Sequence, residues 1–149
     1  MKGYKFRLES VLNYRRFQKR QCDAQLSVAV KRRQEAAILL EQAKVTLQQA
    51  EASIAAAIKH PVKVAELVML QGLISSQRAA SQGALKNFES ADHKLDQARQ
   101  SVLKAQTNYK RIEHLKVQRS DAARAEHVKQ DEFQAEEFVR AKLAAFESA

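Results

Sequence analysis

The sequence predicts an all-α protein: a long antiparallel two-helix coiled-coil hairpin whose second helix extends beyond the first. Three observations lead to this prediction. The 149 residues include three Gly, one Pro and no Trp, and residues that favour helices dominate the remainder. The one proline, Pro61, interrupts a chain that is otherwise rich in helix formers. On both sides of Pro61, apolar residues recur at alternating steps of four and three, which is the period of a coiled-coil seam.

Pro61 divides the chain because a proline in a helix interior removes a hydrogen bond and clashes with the preceding turn. We expect helix 1 over about residues 8–59, a turn at about 60–62 and helix 2 over about 63–146, within a single coiled-coil domain of residues 1–149. Helix 2 then exceeds helix 1 by roughly thirty residues.

The seam has one row of mainly large residues and one row of mainly Ala in each helix. The helix 1 positions are Leu8, Leu12, Arg15, Lys19, Cys22, Leu26, Ala29, Arg33, Ala36, Leu40, Ala43, Leu47, Ala50, Ile54 and Ala57. The helix 2 positions are Leu67, Leu70, Ile74, Gln77, Ser81, Ala84, Phe88, Ala91, Leu95, Ala98, Val102, Ala105, Tyr109 and Ile112. Folding the chain back at Pro61 makes residue i face roughly residue 121 minus i, so that large residues meet large ones and Ala meets Ala.

Three cations, Arg15, Lys19 and Arg33, occupy seam positions, and Arg33 is expected opposite Phe88. A two-stranded seam is half exposed, so long cations can lay their stems on it and keep their charge in water. The alternative is that a weakened seam lets the helices move or admits a partner. Beyond Ile112, helix 2 has no partner strand and is either frayed or buried in another protein. Its apolar residues there are Val128, Phe133, Phe138, Val139, Leu143 and Phe146.

The formal net charge is +9, and residues 1–35 carry ten basic against three acidic side chains, a net of +7. The basic residues near the start are Lys2, Lys5, Arg7, Arg15, Arg16, Lys19 and Arg20. Three interpretations remain open: a solvated helix surface, a nucleic-acid surface, or a docking surface for an acidic protein patch. Aromatic residues interleave with the cations, but no nucleic-acid recognition module is visible. Protein docking explains the basic end and the unpaired helix together.

No enzyme signature, cofactor site or metal site is expected. The three glycines, Gly3, Gly72 and Gly83, are scattered rather than clustered in a phosphate-binding loop. The four histidines lack the spacing for metal ligation, and Cys22 has no partner for a disulfide. The longest uncharged stretch, residues 67–77, is too short to span a bilayer. We expect a cytoplasmic protein with no signal peptide and no transmembrane segment.

Both ends of the chain resemble the flagellar FliJ-type family. Residues 4–15 read YKFRLESVLNYR, in which an aromatic, a basic residue and a Leu precede a helix that starts with Val-Leu. Residues 109–116 read YKRIEHLK, and Arg119, Glu126 and residues 129–133, KQDEF, follow. The order of these motifs, their spacing and the chain length together resemble the family across the whole chain.

The resemblance implies a cytoplasmic stalk of the flagellar type III export apparatus, peripherally associated with the inner membrane at the flagellar base, and hence no enzyme. It implies that both chain ends enter a hexameric export ATPase, that the hairpin tip contacts an export gate membrane protein, and that export chaperones bind. Nucleic acid is not among the expected partners. The ATPase-docking residues would be Arg7, Arg15, Arg16, Arg119 and Lys129. The gate-contact residues would be Leu70, Leu73 and Ile74. The family has aromatic residues at the positions of Leu70 and Leu73, and Gln77 stands where the family has Leu.

Alternative hypotheses are a basic coiled-coil protein that binds nucleic acid, a structural dimer whose helices pair between chains, and the injectisome counterpart of the same stalk. Binding to nucleic acid would weaken steeply with salt, and the molecular mass in solution would separate a dimer from a hairpin.

Overall fold

The computed structural model describes residues 4–148, which form two α-helices and no strand. Helix α1 spans Glu9–Ile58 and helix α2 spans Val64–Glu147. The predicted all-α helical hairpin is confirmed. Each helix end lies one residue from its expected position. Residues 1–3, which include Lys2, and residue 149 belong to the predicted domain but lie outside the described residues.

The connection between the helices is short because backbone groups on both sides of Pro61 find partners. The amide of His60 donates to the carbonyl of Ala57 at 3.2 Å, which tightens the last turn of α1. Pro61 has no amide hydrogen and disfavours the helical conformation at the residue before it. Helix α2 then begins with the carbonyl of Lys63, which accepts a hydrogen bond from the amide of Leu67 at 3.1 Å.

The chain separates into two compact units. Unit 1 comprises Met1–Lys19 and Ala105–Ala149, and unit 2 comprises Arg20–Lys104. The expectation of a single domain stays a prediction.

Unit 2 is a helical hairpin built on the predicted seam. Every seam position that falls in it is half-buried or buried, with one exception, and Leu40 and Leu95 are the most enclosed. The exception is Leu67, which lies beside the turn and is 38% exposed. The guanidinium carbon of Arg33 lies 5.2 Å from the centre of the Phe88 ring, so the predicted pairing of these two residues is confirmed.

Alanine layers leave unit 2 with a shallow surface groove. Ala29, Ala91 and Ala98 line its floor, and Arg32 and Lys94 stand at its rim. Small side chains at facing positions let the two helices approach closely, and they also leave little side-chain volume to fill the surface above them.

In unit 1, the start of α1 and the segment before it lie against the middle of α2. Phe6, Leu12 and Ala105 are buried, and Leu12 is only 1% exposed. Partial burial continues along α2 as far as His127, which is further than the predicted limit at Ile112. The segment before α1 also packs on α2 through Phe6, which extends the cover at least to Arg119.

From residue 128 to residue 148 every side chain is exposed, and we call residues 128–147 the tail. Its apolar side chains are uncovered, including Phe138 at 62% and Phe146 at 84% exposure. No helix within residues 4–148 is long and apolar enough to cross a bilayer.

Candidate functional site

Three cations and one aromatic ring form a cluster in unit 1, consisting of Arg15, Arg16, Lys19 and Tyr109. We call it the basic cluster. The first three residues come from consecutive turns of α1 and Tyr109 comes from α2. The ammonium nitrogen of Lys19 lies 5.2 Å from the centre of the Tyr109 ring, and the guanidinium carbon of Arg16 lies 5.9 Å from it. Both distances fall within the range of cation–π attraction.

Arg16 is also tied to Tyr109 by a hydrogen bond. Its Nε donates to the Tyr109 hydroxyl oxygen at 3.4 Å, and the side chain of Arg16 is exposed. This hydrogen bond raises the pKa of Arg16 above its usual value, and the nearby Tyr109, Glu9 and Glu113 add to the effect. Like any arginine, Arg16 is charged throughout the physiological pH range. An exposed guanidinium held in one direction is well suited to pair with a carboxylate of another protein.

Arg15 lies deeper in the seam than Arg16. Its Nη1 donates to the Oε1 atom of Gln18 at 3.0 Å, and Gln18 in turn donates to the Tyr14 hydroxyl at 2.9 Å. The Nε of Arg15 is buried and has no hydrogen-bond partner among the described residues. A buried donor without a partner costs free energy, so this part of the seam is less stable than a seam filled by Leu.

A second group of contacts holds the segment before α1 on the surface of α2. The guanidinium carbon of Arg119 lies 6.0 Å from the centre of the buried Phe6 ring. One helical turn away, the ammonium of Lys116 forms an ion pair with the Glu9 carboxylate at 2.9 Å. Glu9 is also in the first turn of α1, where a negative charge is favourable. Arg119 thus belongs to the contacts that hold the segment before α1, whereas Arg16 lies at Tyr109, ten residues earlier in α2.

The other two predicted docking residues are exposed but less constrained. Arg7 adjoins the buried Phe6 in sequence and is itself exposed. Lys129 lies at the start of the tail, beside Glu126, Gln130 and Phe133. No ion pair, hydrogen bond or ring contact within residues 4–148 joins Lys129 to the other four docking residues.

The predicted gate-contact residues lie in the first turns of α2, near the turn of unit 2. Leu70 and Ile74 are half-buried on the seam, and Leu73 is 47% exposed. Of the three, Leu73 offers the most surface to a partner. Larger exposed apolar surfaces lie beside it, on Val64, Val68 and Met69.

Sequence reasoning placed Tyr109 in the core and did not single out Lys116 or Phe6. Glu9 pairs with Lys116, and Arg16 pairs with Tyr109. Each partner lies about one helical turn further along α2 than the position expected to face Glu9 or Arg16, because Lys and Arg side chains are long enough to reach the next turn. The sequence feature that could have predicted the packing of Phe6 is its position just before the helix start. Apolar side chains at such positions commonly pack back onto a helix.

Within residues 4–148 no group of His, Cys, Asp and Glu side chains is arranged to hold a metal ion. Cys22 is half-buried and free. Unit 1 offers fixed positive charge, aromatic faces and an exposed apolar tail.

The fold and the basic end define a helical hairpin protein with a cation-rich surface. Residues 4–144 match the profile of the flagellar FliJ protein family, and since this is nearly the whole chain, the chain belongs to that family. The match identifies it as a flagellar export-related protein, in a family of non-catalytic components of the export apparatus. No curated protein and no solved structure gives a significant match to the chain.

Proposed function

We propose that this protein is the stalk that couples the hexameric flagellar export ATPase to the export gate, and that unit 1 is the part that enters the ATPase. The observation that carries the proposal is the basic cluster. Arg16 and Lys19 are held on the Tyr109 ring, while Arg15 interrupts the seam with an unpartnered Nε.

Fixed cations favour an acidic partner because their geometry is set before binding, so that less side-chain entropy is lost on association. Lys19 makes no ion pair with a described carboxylate and is half-buried over the ring. A carboxylate of the ATPase that approaches Arg16 and Lys19 therefore meets two charges that are not already neutralised by a salt bridge.

The tail supports the same interpretation. A helix whose apolar side chains are all exposed from residue 128 to residue 148 is expected to be covered by another protein. A central cavity in a ring-shaped ATPase would enclose a single helix from all sides. The stalk would act by shifting the equilibrium between weakly and strongly active states of the ring, and it would perform no hydrolysis itself.

The proposal is tested by steady-state ATP hydrolysis of the cognate export ATPase with and without this protein. We expect stimulation by the wild-type chain and its loss in the Arg15→Glu, Arg16→Glu variant. A matched control is Lys31→Glu, Arg32→Glu, which reverses two adjacent exposed cations of the same helix in unit 2. The control is expected to stimulate as the wild type does.

Equal stimulation of the ATPase by both variants would show that the basic cluster is not part of the interface. The ATPase role would be overturned if the wild-type chain neither stimulated hydrolysis nor formed a complex with the ATPase in size-exclusion chromatography. That result would favour the nucleic-acid alternative. The nucleic-acid alternative predicts binding whose affinity falls steeply between low and physiological salt. A chain mass of twice 16.8 kDa in solution would instead support the structural dimer.

The gate and chaperone contacts belong to the same proposal. Unit 2 would reach the gate through its turn, with Leu73 as the most exposed of the three predicted residues. Export chaperones would bind other surfaces of the hairpin. Through these contacts the protein would act in flagellum biogenesis and motility, in the cytoplasm at the inner membrane face.

A further inference from the structure

We propose that the turn of unit 2 binds directly to an anionic membrane surface. This inference deepens the proposed peripheral membrane location by naming lipid as the partner of one surface, which we call the tip and define as residues 58–69. It concerns a different surface from the basic cluster and can fail or hold independently of the ATPase role.

The tip presents apolar side chains that the protein itself does not cover. Val64 is 79% exposed, Met69 is 75% exposed and Val68 is 61% exposed. Ile58, at the last position of α1, is 59% exposed. Helical spacing places Val64 and Val68 one turn apart on the same side of α2, and Met69 lies about 100° around the helix from Val68. Val64 and Val68 can therefore enter the headgroup region of a bilayer together, with Met69 at the margin of that side.

The charge around these side chains is positive. Lys59 and Lys63 flank Pro61, both are exposed, and neither forms an ion pair with a described carboxylate. Within the tip, residues 58–69, these two lysines stand against one acidic residue, Glu66, a net of +1. Exposed lysines next to exposed apolar residues are the combination that anionic bilayers attract.

The tail combines exposed apolar residues with negative charge, and this difference from the tip helps to identify the partner of each surface. It also exposes large apolar residues, including Phe138 and Phe146. Over residues 128–147, however, it carries five acidic and three basic residues, a net of −2. An anionic bilayer would repel that surface. Between the tip and the tail, charge complementarity therefore favours the tip as the surface that meets an anionic bilayer.

The test is co-sedimentation of the chain with vesicles of equimolar phosphatidylcholine and phosphatidylglycerol, against vesicles of phosphatidylcholine alone. We expect binding to the mixed vesicles and at least about tenfold weaker binding to the neutral ones, because each lysine near an anionic surface strengthens binding severalfold. The Lys59→Gln, Lys63→Gln variant should lose about tenfold or more in affinity for the mixed vesicles. The Val64→Gln, Met69→Gln variant should lose a similar factor.

Two matched controls separate the tip from the other surfaces of the chain. Val139→Gln, Phe146→Gln removes apolar area from the tail and is expected to leave vesicle affinity unchanged. Arg15→Gln, Arg16→Gln removes charge from the basic cluster and is expected to weaken vesicle binding less than the tip variants do. Because all substituted tip positions are exposed, we expect the helical circular dichroism of the variants to match the wild type.

The absence of Trp from the chain allows a second, independent readout. A Met69→Trp variant should shift its fluorescence to shorter wavelength when mixed vesicles are added, and a Val139→Trp variant should not. No wild-type binding to the mixed vesicles, or loss of binding only in the basic-cluster variant, would overturn the inference. The inference would also be overturned if the wild-type chain did not bind lipid and the tip variants lost a complex with the gate protein. Stimulation of the ATPase, measured without lipid, is expected to survive in the tip variants and so reports separately on the proposed function.

Discussion

Units 1 and 2 share one heptad pattern but fill its seam differently. In unit 2 the seam alternates large aliphatic residues with Ala, and the cation at Arg33 is neutralised by Asp92 at 2.7 Å. In unit 1 the corresponding positions hold Arg15, Lys19 and Tyr109, and Lys19 lies on the aromatic ring.

The difference separates two tasks that a single coiled coil can perform. Unit 2 uses its seam for stability, since aliphatic burial is the main favourable term in helix pairing. The seam of unit 1 stabilises helix pairing less, because it includes a buried donor without a partner. Unit 1 presents fixed positive charge instead. In the proposed function, a cation at a seam position serves a partner only where no carboxylate of the same chain pairs with it.

The largest expected effects on stability come from the buried leucines of the two units. Leu12→Ala in unit 1 and Leu40→Ala in unit 2, at 1% and 8% exposure, should each lower the free energy of unfolding by about 2–4 kcal/mol. Leu39→Ala removes the same side chain from a neighbouring site that is 60% exposed and should cost less than about 0.5 kcal/mol. Urea unfolding followed by circular dichroism measures all three. An equal loss of unfolding free energy in Leu39→Ala and Leu40→Ala would contradict the assignment of Leu40, and not Leu39, to the seam.

Next in size are two glycines on exposed helix surfaces of unit 2. A Cβ atom added at Gly72 or at Gly83 would have no other atom within 4 Å, and neither residue has a positive φ. Gly72→Ala and Gly83→Ala should therefore each stabilise the protein by about 0.5–1 kcal/mol through helix propensity alone. Thermal unfolding of the two variants checks this. A destabilised variant would mean that another side chain occupies the open space.

A smaller effect is expected in the basic cluster of unit 1. A double-mutant cycle of Lys19→Met and Tyr109→Leu should give a coupling free energy of about 0.5–1 kcal/mol, because the ammonium lies over the aromatic face. Tyr109→Phe retains the ring and serves as the control, losing only the weak hydrogen bond to Arg16 at 3.4 Å. A coupling of zero would show that Lys19 points into solvent in solution.

The smallest effect is expected for the ion pair of unit 2. A double-mutant cycle of Arg33→Met and Asp92→Asn should give a coupling of about 0.5 kcal/mol at low salt, because the two side chains are 42% and 46% exposed. The coupling should decrease as salt is raised. A larger, salt-independent value would show that the pair is more enclosed than its exposure indicates.

Most of the fold follows from two features of the sequence. Pro61 places the turn, and the heptad pattern identifies the half-buried positions, because both are local properties of helices. Leu67 is the exception in unit 2, since a residue beside the turn has neighbours on one side only.

The site was less accessible to prediction. Arg15, Arg16 and Arg119 were selected by resemblance, and nothing in the spacing showed that Arg119 lies over Phe6 or that Lys116 reaches Glu9. Such contacts depend on the conformations of long flexible side chains. These are set by tertiary packing rather than by helical periodicity.

Amide hydrogen exchange of the full chain, alone and bound to the export ATPase, tests most directly whether unit 1 is the docking end. We expect unchanged exchange in residues 55–75 and added protection in residues 4–19 and along the tail. The gain should be largest in the tail, whose side chains are all exposed in the free chain. Protection confined to residues 55–75, with the tail exchanging as in the free chain, would contradict the assignment of unit 1 to the ATPase.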